Sequence, residues 1–303
     1  MAESLPEFHL GIIGGCMSHQ RGTPLNALYH RQLAAMLEAN PGVRLRPNIV
    51  RDFDADLRTR LEMLLAGPPV DGVLLHLRAV RMLGPVRLTR SVWKDSRLHL
   101  GLNPNLFRRG HASRAARSWR PNSVSSERGK PRGPDAYGDL PDLQDQPLPG
   151  LRIAGFRVRS LNLAMGTLVG LDQWAIDEEL RQFDEFERAC REHGLPLFVL
   201  GPTPTTCSYW TNRIVRKGNA AIRRRLSDTN VPFALVEQVC DSVGHPLTRA
   251  DGVHLTIEGQ RFVAELLHGH GMREWVAEIV SVKCQGGVRL AELDETQTRG
   301  LPS

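Results

Sequence analysis

The sequence has no apolar run approaching the roughly 18 to 20 residues that a membrane-spanning helix requires. Its longest candidates, such as Val73 to Leu77, have the length of a strand. It also has no CxxC pair. The five cysteines, Cys16, Cys190, Cys207, Cys240 and Cys284, are odd in number and scattered, which argues against a disulfide framework or a zinc cluster and leaves each thiol to be judged alone. No metal and no other cofactor is expected. The opening MAESLPEF places acids where a secretory signal has basic residues, with no apolar stretch long enough for the core of such a signal, so the expected location is the cytoplasm. What is present is ordinary for a globular chain: 303 residues, 41% apolar and 24% charged. That length can bury a core without covalent or metal staples.

A net charge of +6 with a pI near 9.4 raises the question of nucleic acid. The charge is not spread over the chain. Residues 108 to 134 hold seven arginines and one lysine against a single glutamate, so this segment accounts for the whole excess. It is rich in Ser, Gly and Pro and poor in aliphatic residues, and it runs into DAYGDLPDLQDQPLPG, whose four aspartates oppose the arginines. Residues 108–149 therefore read as a mobile insertion, and a nucleic-acid partner is not expected. A second basic group, Arg213, Arg216, Lys217, Arg223, Arg224 and Arg225, falls on one helical segment and reads as a solvated face, with a phosphate-bearing carrier as the functional alternative.

Outside the insertion one alternation repeats. Leu10 to Gly14 is a short apolar run, followed by Leu25, Leu28, Leu33, Met36 and Leu37 at helical spacing. Val43 to Val50 reads as a second strand and Asp54 to Leu65 as a second helix. Val73 to Leu77 has the continuous apolar character of a strand covered on both faces. Further on come a helix over Leu171 to His193, a strand over Leu197 to Leu200, a helix over Tyr209 to Leu226, a strand over Phe233 to Val236 and a helix over Ile257 to His268. Five strands alternating with helices predict an α/β fold. Its form is a three-layer flavodoxin-like sandwich, with a five-stranded parallel sheet covered by helices on both faces. In such a sheet the chemistry sits at the carboxyl ends of the strands.

Two of those loops hold a pattern. Ala250 to Gln260 reads ADGVHLTIEGQ, and Gly14 to Ser18 reads GGCMS directly after the first strand. The first segment resembles the last block of the SGNH hydrolases, also called the GDSL family, in which an Asp-x-x-His pair precedes a helix. The second falls where that family has its GDS block. The resemblance implies a single SGNH-like domain over 1–107 and 150–272, with 273–303 as a C-terminal helix and tail. It also implies Cys16 in the position of the nucleophilic serine, His254 as general base and Asp251 as the carboxylate that orients it. The family's second-block glycine has no counterpart between Asn48 and Asp56, and in place of its GxND block the chain has Leu75-His76-Leu77-Arg78-Ala79. The candidates for the oxyanion or substrate contacts are therefore Gly15 with the backbone of Cys16, Ser18, Arg78, Asn162 and Asn103.

A thiol ionises near pKa 8.5 when unperturbed, so an imidazole beside it yields a thiolate more readily than it activates a serine. Acylation would give a thioester, which reacts with amines and thiols as well as water. The expected function is esterase, thioesterase or acyltransferase chemistry on a small-molecule or carrier-bound acyl substrate. Two alternatives stay open: a serine esterase using Ser18, and a ligand-binding protein without catalysis.

Overall fold

A computed structural model of the chain describes residues 5–20, 22–40, 42–50, 56–86, 89–94, 97–102, 161–203, 209–236, 247 and 254–298, excluding the side chains of 16, 19, 80, 89–94, 97–102 and 286–298. The expected insertion at 108–149 lies outside the described residues, as do Asn103 and Asp251.

Five parallel strands make the sheet: β1 (Glu7–Ile13), β2 (Arg44–Ile49), β3 (Gly72–His76), β6 (Leu197–Leu200) and β7 (Phe233–Ala234), in the order β2-β1-β3-β6-β7. The chain grows outward from β1 in one direction and, after β2, in the other. The order therefore switches between β1 and β3, and a crevice opens at their carboxyl ends. An antiparallel hairpin, β4 (Thr89–Lys94) and β5 (Arg97–Leu102), is separate from the sheet. The helices are α1 (Tyr29–Ala39), α2 (Leu57–Leu65), α3 (Ala79–Val86), α4 (residues 161–168), α5 (Leu171–Glu192), α6 (Tyr209–Ser227), α7 (Ile257–Leu267) and α8 (Arg273–Thr298).

The strands alternate between two cores, as the period of two requires. Phe8, Leu10 and Ile12 of β1, Leu74 of β3 and Phe198 and Leu200 of β6 point to one face, packed by Tyr29, Leu33, Leu37, Val263, Leu267 and Trp275. Ile13, Val73, Leu75, Leu197 and Val199 point to the other, under Leu61, Leu64, Phe183, Phe186, Ile214 and Ile222. Burial on both faces explains why β3 is apolar without interruption. At Gly11 a Cβ would stand 2.4 Å from a Leu64 methyl, so this glycine lets α2 lie close on β1. Trp275 of α8 meets Phe8 and Phe198 edge-on, with ring centroids 5.6 and 5.7 Å away, and covers Gly72, where a Cβ would come within 2.6 Å of its ring.

The expected elements appear with small shifts. The first predicted helix divides into a single turn, Leu25–Ala27, and α1. The second starts at Leu57, because the side chain of Asp56 accepts the Thr59 N–H at 2.8 Å and caps it. The short strand β7 ends at Ala234 rather than Val236. Part of the basic charge on α6 is met by acids of α5: Lys217 pairs with Asp172 at 2.9 Å and Arg225 with Asp184 at 2.8 Å, while Arg213 stacks on Trp210.

Candidate active site

β1 ends at Ile13 in the middle of the sheet, and the chain leaves it through Gly14 and Gly15 into a tight turn, Cys16–His19. Two features make glycine fit there. A Cβ on Gly14 would stand 2.2 Å from the Ser18 hydroxyl, and one on Gly15 would stand 3.1 Å from the Arg78 side chain, which lies across it. Cys16 opens this turn at the switch point; its side chain lies outside the described residues.

The turn is held through its carbonyls. Arg60 of α2, fully buried, donates to the Gly14 carbonyl. The Ser18 N–H donates to Gly15 O at 3.1 Å, Gln260 Nε2 to Met17 O at 3.2 Å, and His30 Nε2 lies 3.1 Å from Ser18 O. Because a carbonyl can only accept, that contact fixes the His30 proton on Nε2. Four backbone oxygens within five residues are thus engaged, three of them from three helices and the fourth within the turn.

Ser18 was the alternative nucleophile, and its hydroxyl faces inward. It is 0% exposed and lies 3.0 Å from the Tyr29 hydroxyl. Burial pushes the Tyr29 phenol up to about 12, so Tyr29 is a neutral partner and no base for Ser18. The position suits a residue that shapes the turn from beneath.

His254 lies half-buried on the loop that enters α7. The next residue, Leu255, is fully buried and has both its backbone groups taken by one side chain: Gln20 Nε2 donates to Leu255 O at 2.7 Å, and Leu255 N–H donates to Gln20 Oε1 at 3.0 Å. The loops of Cys16 and His254, far apart in the chain, are therefore adjacent in space. Helix capping at this point falls to Thr256, whose hydroxyl accepts the Gly259 N–H at 3.0 Å. Gly259, part of the motif that drew attention in the sequence, has a local reason: a Cβ there would stand 2.1 Å from the Leu247 carbonyl oxygen.

The remaining wall is the carboxyl end of β3 and β6. His76 is buried beside Gly14 and edge-on to Tyr29. Burial, with the nearby Arg78 charge, lowers its pKa to about 4, so the imidazole is neutral. Arg78 is half-buried. Behind it Glu179 of α5 is buried and its pKa raised by burial, against the opposing pull of Arg81 and Arg78. Thr203, just past β6, is 1% exposed. Asn162 is half-buried in the first turn of α4, whose Gly166 backs directly on Val86 of α3. Arg60, Gln20, Gln260 and Tyr29 escaped sequence reasoning, because an isolated polar residue in a loop or helix carries no spacing signal. Among the described residues no cluster of three or more His, Cys, Asp or Glu side chains could hold a metal, and no helix is long and apolar enough to cross a membrane.

No family model matches the chain, and no curated protein matches it in sequence. Solved structures do. The lipase Lip_vut3 from a goat rumen metagenome superposes with a TM-score of 0.50 at 10% identity, over 87% of this chain and 97% of that one. Axe2, an acetylxylan esterase from Geobacillus stearothermophilus, superposes with a TM-score of 0.46 at 11% identity, over 88% of this chain and 96% of that one. The chain therefore shares the fold of that lipase.

Proposed function

We propose that the protein is an SGNH-type acyl-transfer enzyme that works through a covalent acyl group on Cys16, with His254 as general base and Asp251 as its orienting carboxylate. The observation that carries this reading is the double hydrogen bond between Gln20 and Leu255, which sets the loop of His254 against the turn that Cys16 opens. The electrostatics support it. The Arg60 guanidinium sits on the Gly14 carbonyl and the Arg78 side chain lies across Gly15, so two positive charges flank the turn, the setting that favours a thiolate.

In the first half-reaction His254 takes the Cys16 proton and the sulfur attacks the acyl carbonyl carbon. The carbonyl electron pair moves to oxygen, and the backbone of the Cys16 turn and Arg78 receive that charge. Collapse expels the alcohol or thiol, which leaves with the proton from His254. In the second half-reaction water or an acceptor attacks the thioester, gives its proton to His254 and releases Cys16. The acid and the acceptor are small or carrier-bound, and an amine or thiol acceptor makes the enzyme a transferase.

Incubation with a panel of acyl thioesters, followed by intact mass and peptide mapping, is the test. The expected adduct is on Cys16, absent from Cys16→Ala and retained by Ser18→Ala. His254→Ala should reduce turnover at least about a hundredfold. An adduct on a serine would overturn the cysteine mechanism, and no adduct with any acyl donor would leave a ligand-binding protein of the same fold.

A further inference from the structure

Cys16 and His254 come from opposite ends of the chain, and the parallel sheet does not connect them: His254 and Leu255 lie beyond the last strand, on the loop before α7. The apolar contact of α7 with α1 brings the two regions together, but hydrophobic packing is non-directional and does not define a distance to a few tenths of an ångström. Directional bonds do. Between the residue after Cys16 and the residue after His254 runs a chain of three: Met17 O accepts from Gln260 Nε2 at 3.2 Å, the same nitrogen donates to Gln20 Oε1 at 3.3 Å, and Gln20 Oε1 accepts from Leu255 N at 3.0 Å.

Both amides are held without slack. Gln20 uses all four of its hydrogen-bonding positions: two N–H groups to Leu255 O and Thr23 Oγ1, the latter at 2.7 Å, and two lone pairs from Leu255 N and Gln260 Nε2. Gln260 accepts from Tyr29 N at 2.9 Å on its oxygen. Gln20 is 5% exposed and Gln260 0%, so water does not compete. The orientation of the Gln20 amide is fixed as well, because a flipped amide would set oxygen against the Leu255 carbonyl and NH2 against its N–H.

We propose that Gln20 and Gln260 are positioning residues that set the reach between Cys16 and His254, an inference that rests on the acyl-transfer reading above. Gln20 serves as a one-residue substitute for a strand neighbour to Leu255, and Gln260 passes that constraint to the Cys16 turn. Loss of either loosens the imidazole from the thiol without removing either group, and a displacement of about 1 Å at a reacting pair can cost about a hundredfold.

The test is alkylation of Cys16 by iodoacetamide in the full chain, read by peptide mapping as a function of pH, with turnover measured alongside. Mapping is needed because Cys284 is exposed. Gln20→Met should move the apparent pKa of the Cys16 thiol toward that seen in His254→Ala and lower kcat by about tenfold to a hundredfold with little change in KM. Gln32→Met removes a comparable bond to the Ala27 carbonyl, at 2.7 Å, away from the two loops; it should lower the melting temperature and leave the alkylation profile alone. Gln20→Glu, which keeps size and the acceptor for the Leu255 N–H and loses both N–H donors, should give a shift in the same direction and decides the matter where the Met variant does not fold. A wild-type profile in folded Gln20→Met or Gln20→Glu overturns the positioning role alone. An unchanged profile in His254→Ala overturns the thiol–imidazole reading and the positioning role with it.

Discussion

The two sides of the crevice treat their polar groups in opposite ways. On the side of β1 and α7, amide, hydroxyl and carbonyl groups are paired with one another: Gln20 with Leu255, Thr23 and Gln260, Ser18 with Tyr29, Gly14 O with Arg60. On the side of β3 and β6, the buried atoms His76 Nδ1, Thr203 Oγ1, Asn219 Oδ1 and Glu179 Oε1 have no hydrogen-bond partner among the described residues. A buried polar atom without a partner costs on the order of 1 to 3 kcal/mol. The first side has the economy of a scaffold, whereas the second retains capacity to bond something else. Under the proposed mechanism the β1 side would hold the reacting groups and the β3 side would be free to meet the substrate.

The largest effect expected from this contrast is on acid stability. His76 is a buried base held neutral, its Nδ1 without a hydrogen-bond partner among the described residues, with a folded pKa of about 4 against an ordinary 6.5. Below pH 6.5 the unfolded chain takes up a proton that the folded chain refuses until about pH 4. Stability should therefore fall as pH drops through that window, by about 3 kcal/mol when fully developed at about 1.4 kcal/mol per unit. In His76→Gln, chemical denaturation at several pH values between 7 and 4 should show a flatter slope. An unchanged slope would mean that His76 takes up its proton over the same pH range in the folded and the unfolded chain.

A smaller effect is expected on the paired side. Tyr29→Phe deletes the partner of the buried Ser18 hydroxyl and should cost about 1 to 3 kcal/mol in urea denaturation. A neutral result would show that the Ser18 hydroxyl has another acceptor. The smallest effect should come from Thr203→Val, which replaces a buried hydroxyl with no partner among the described residues by a methyl of the same shape. Its unfolding free energy should stay within about 0.5 kcal/mol of the parent or rise. A clear loss of stability would show that the hydroxyl is paired after all. A fall in kcat/KM with stability intact would assign the hydroxyl to the substrate.

Much of the frame was legible. Val73 to Leu77 read as a central strand because burial on both faces leaves no polar alternation to confuse it, and GGCMS was read directly after the first strand, where the turn Cys16–His19 follows β1. The hairpin β4–β5 and helix α3 were not legible. The hairpin's strands mix Arg, Ser, Lys and His with apolar residues, and α3 is eight residues long with Pro85 inside it, which weakens any helical signal. The residues that fix the turn were hidden for another reason. Gln20, Arg60 and Gln260 act through contacts 46 to 243 positions away along the chain, and a single sequence has no local pattern for such pairs. Ser18 is the opposite case: a serine near a glycine turn suggests a nucleophile, and its contact with Tyr29 lies outside any local pattern.

The long reach of those bonds bears on how the chain comes off the ribosome. Gln20 emerges early, but its partner Leu255 follows 235 residues later, and Trp275, which closes the core against Phe8 and Phe198, later still. Until then β1 has neither its covering aromatic nor the loop that completes the crevice, so for most of synthesis the nascent chain presents an unfinished sheet. Competence for chemistry can arise only after translation has passed α7, and a chaperone that shields β1 in the meantime would act on yield without touching the rate of the finished protein.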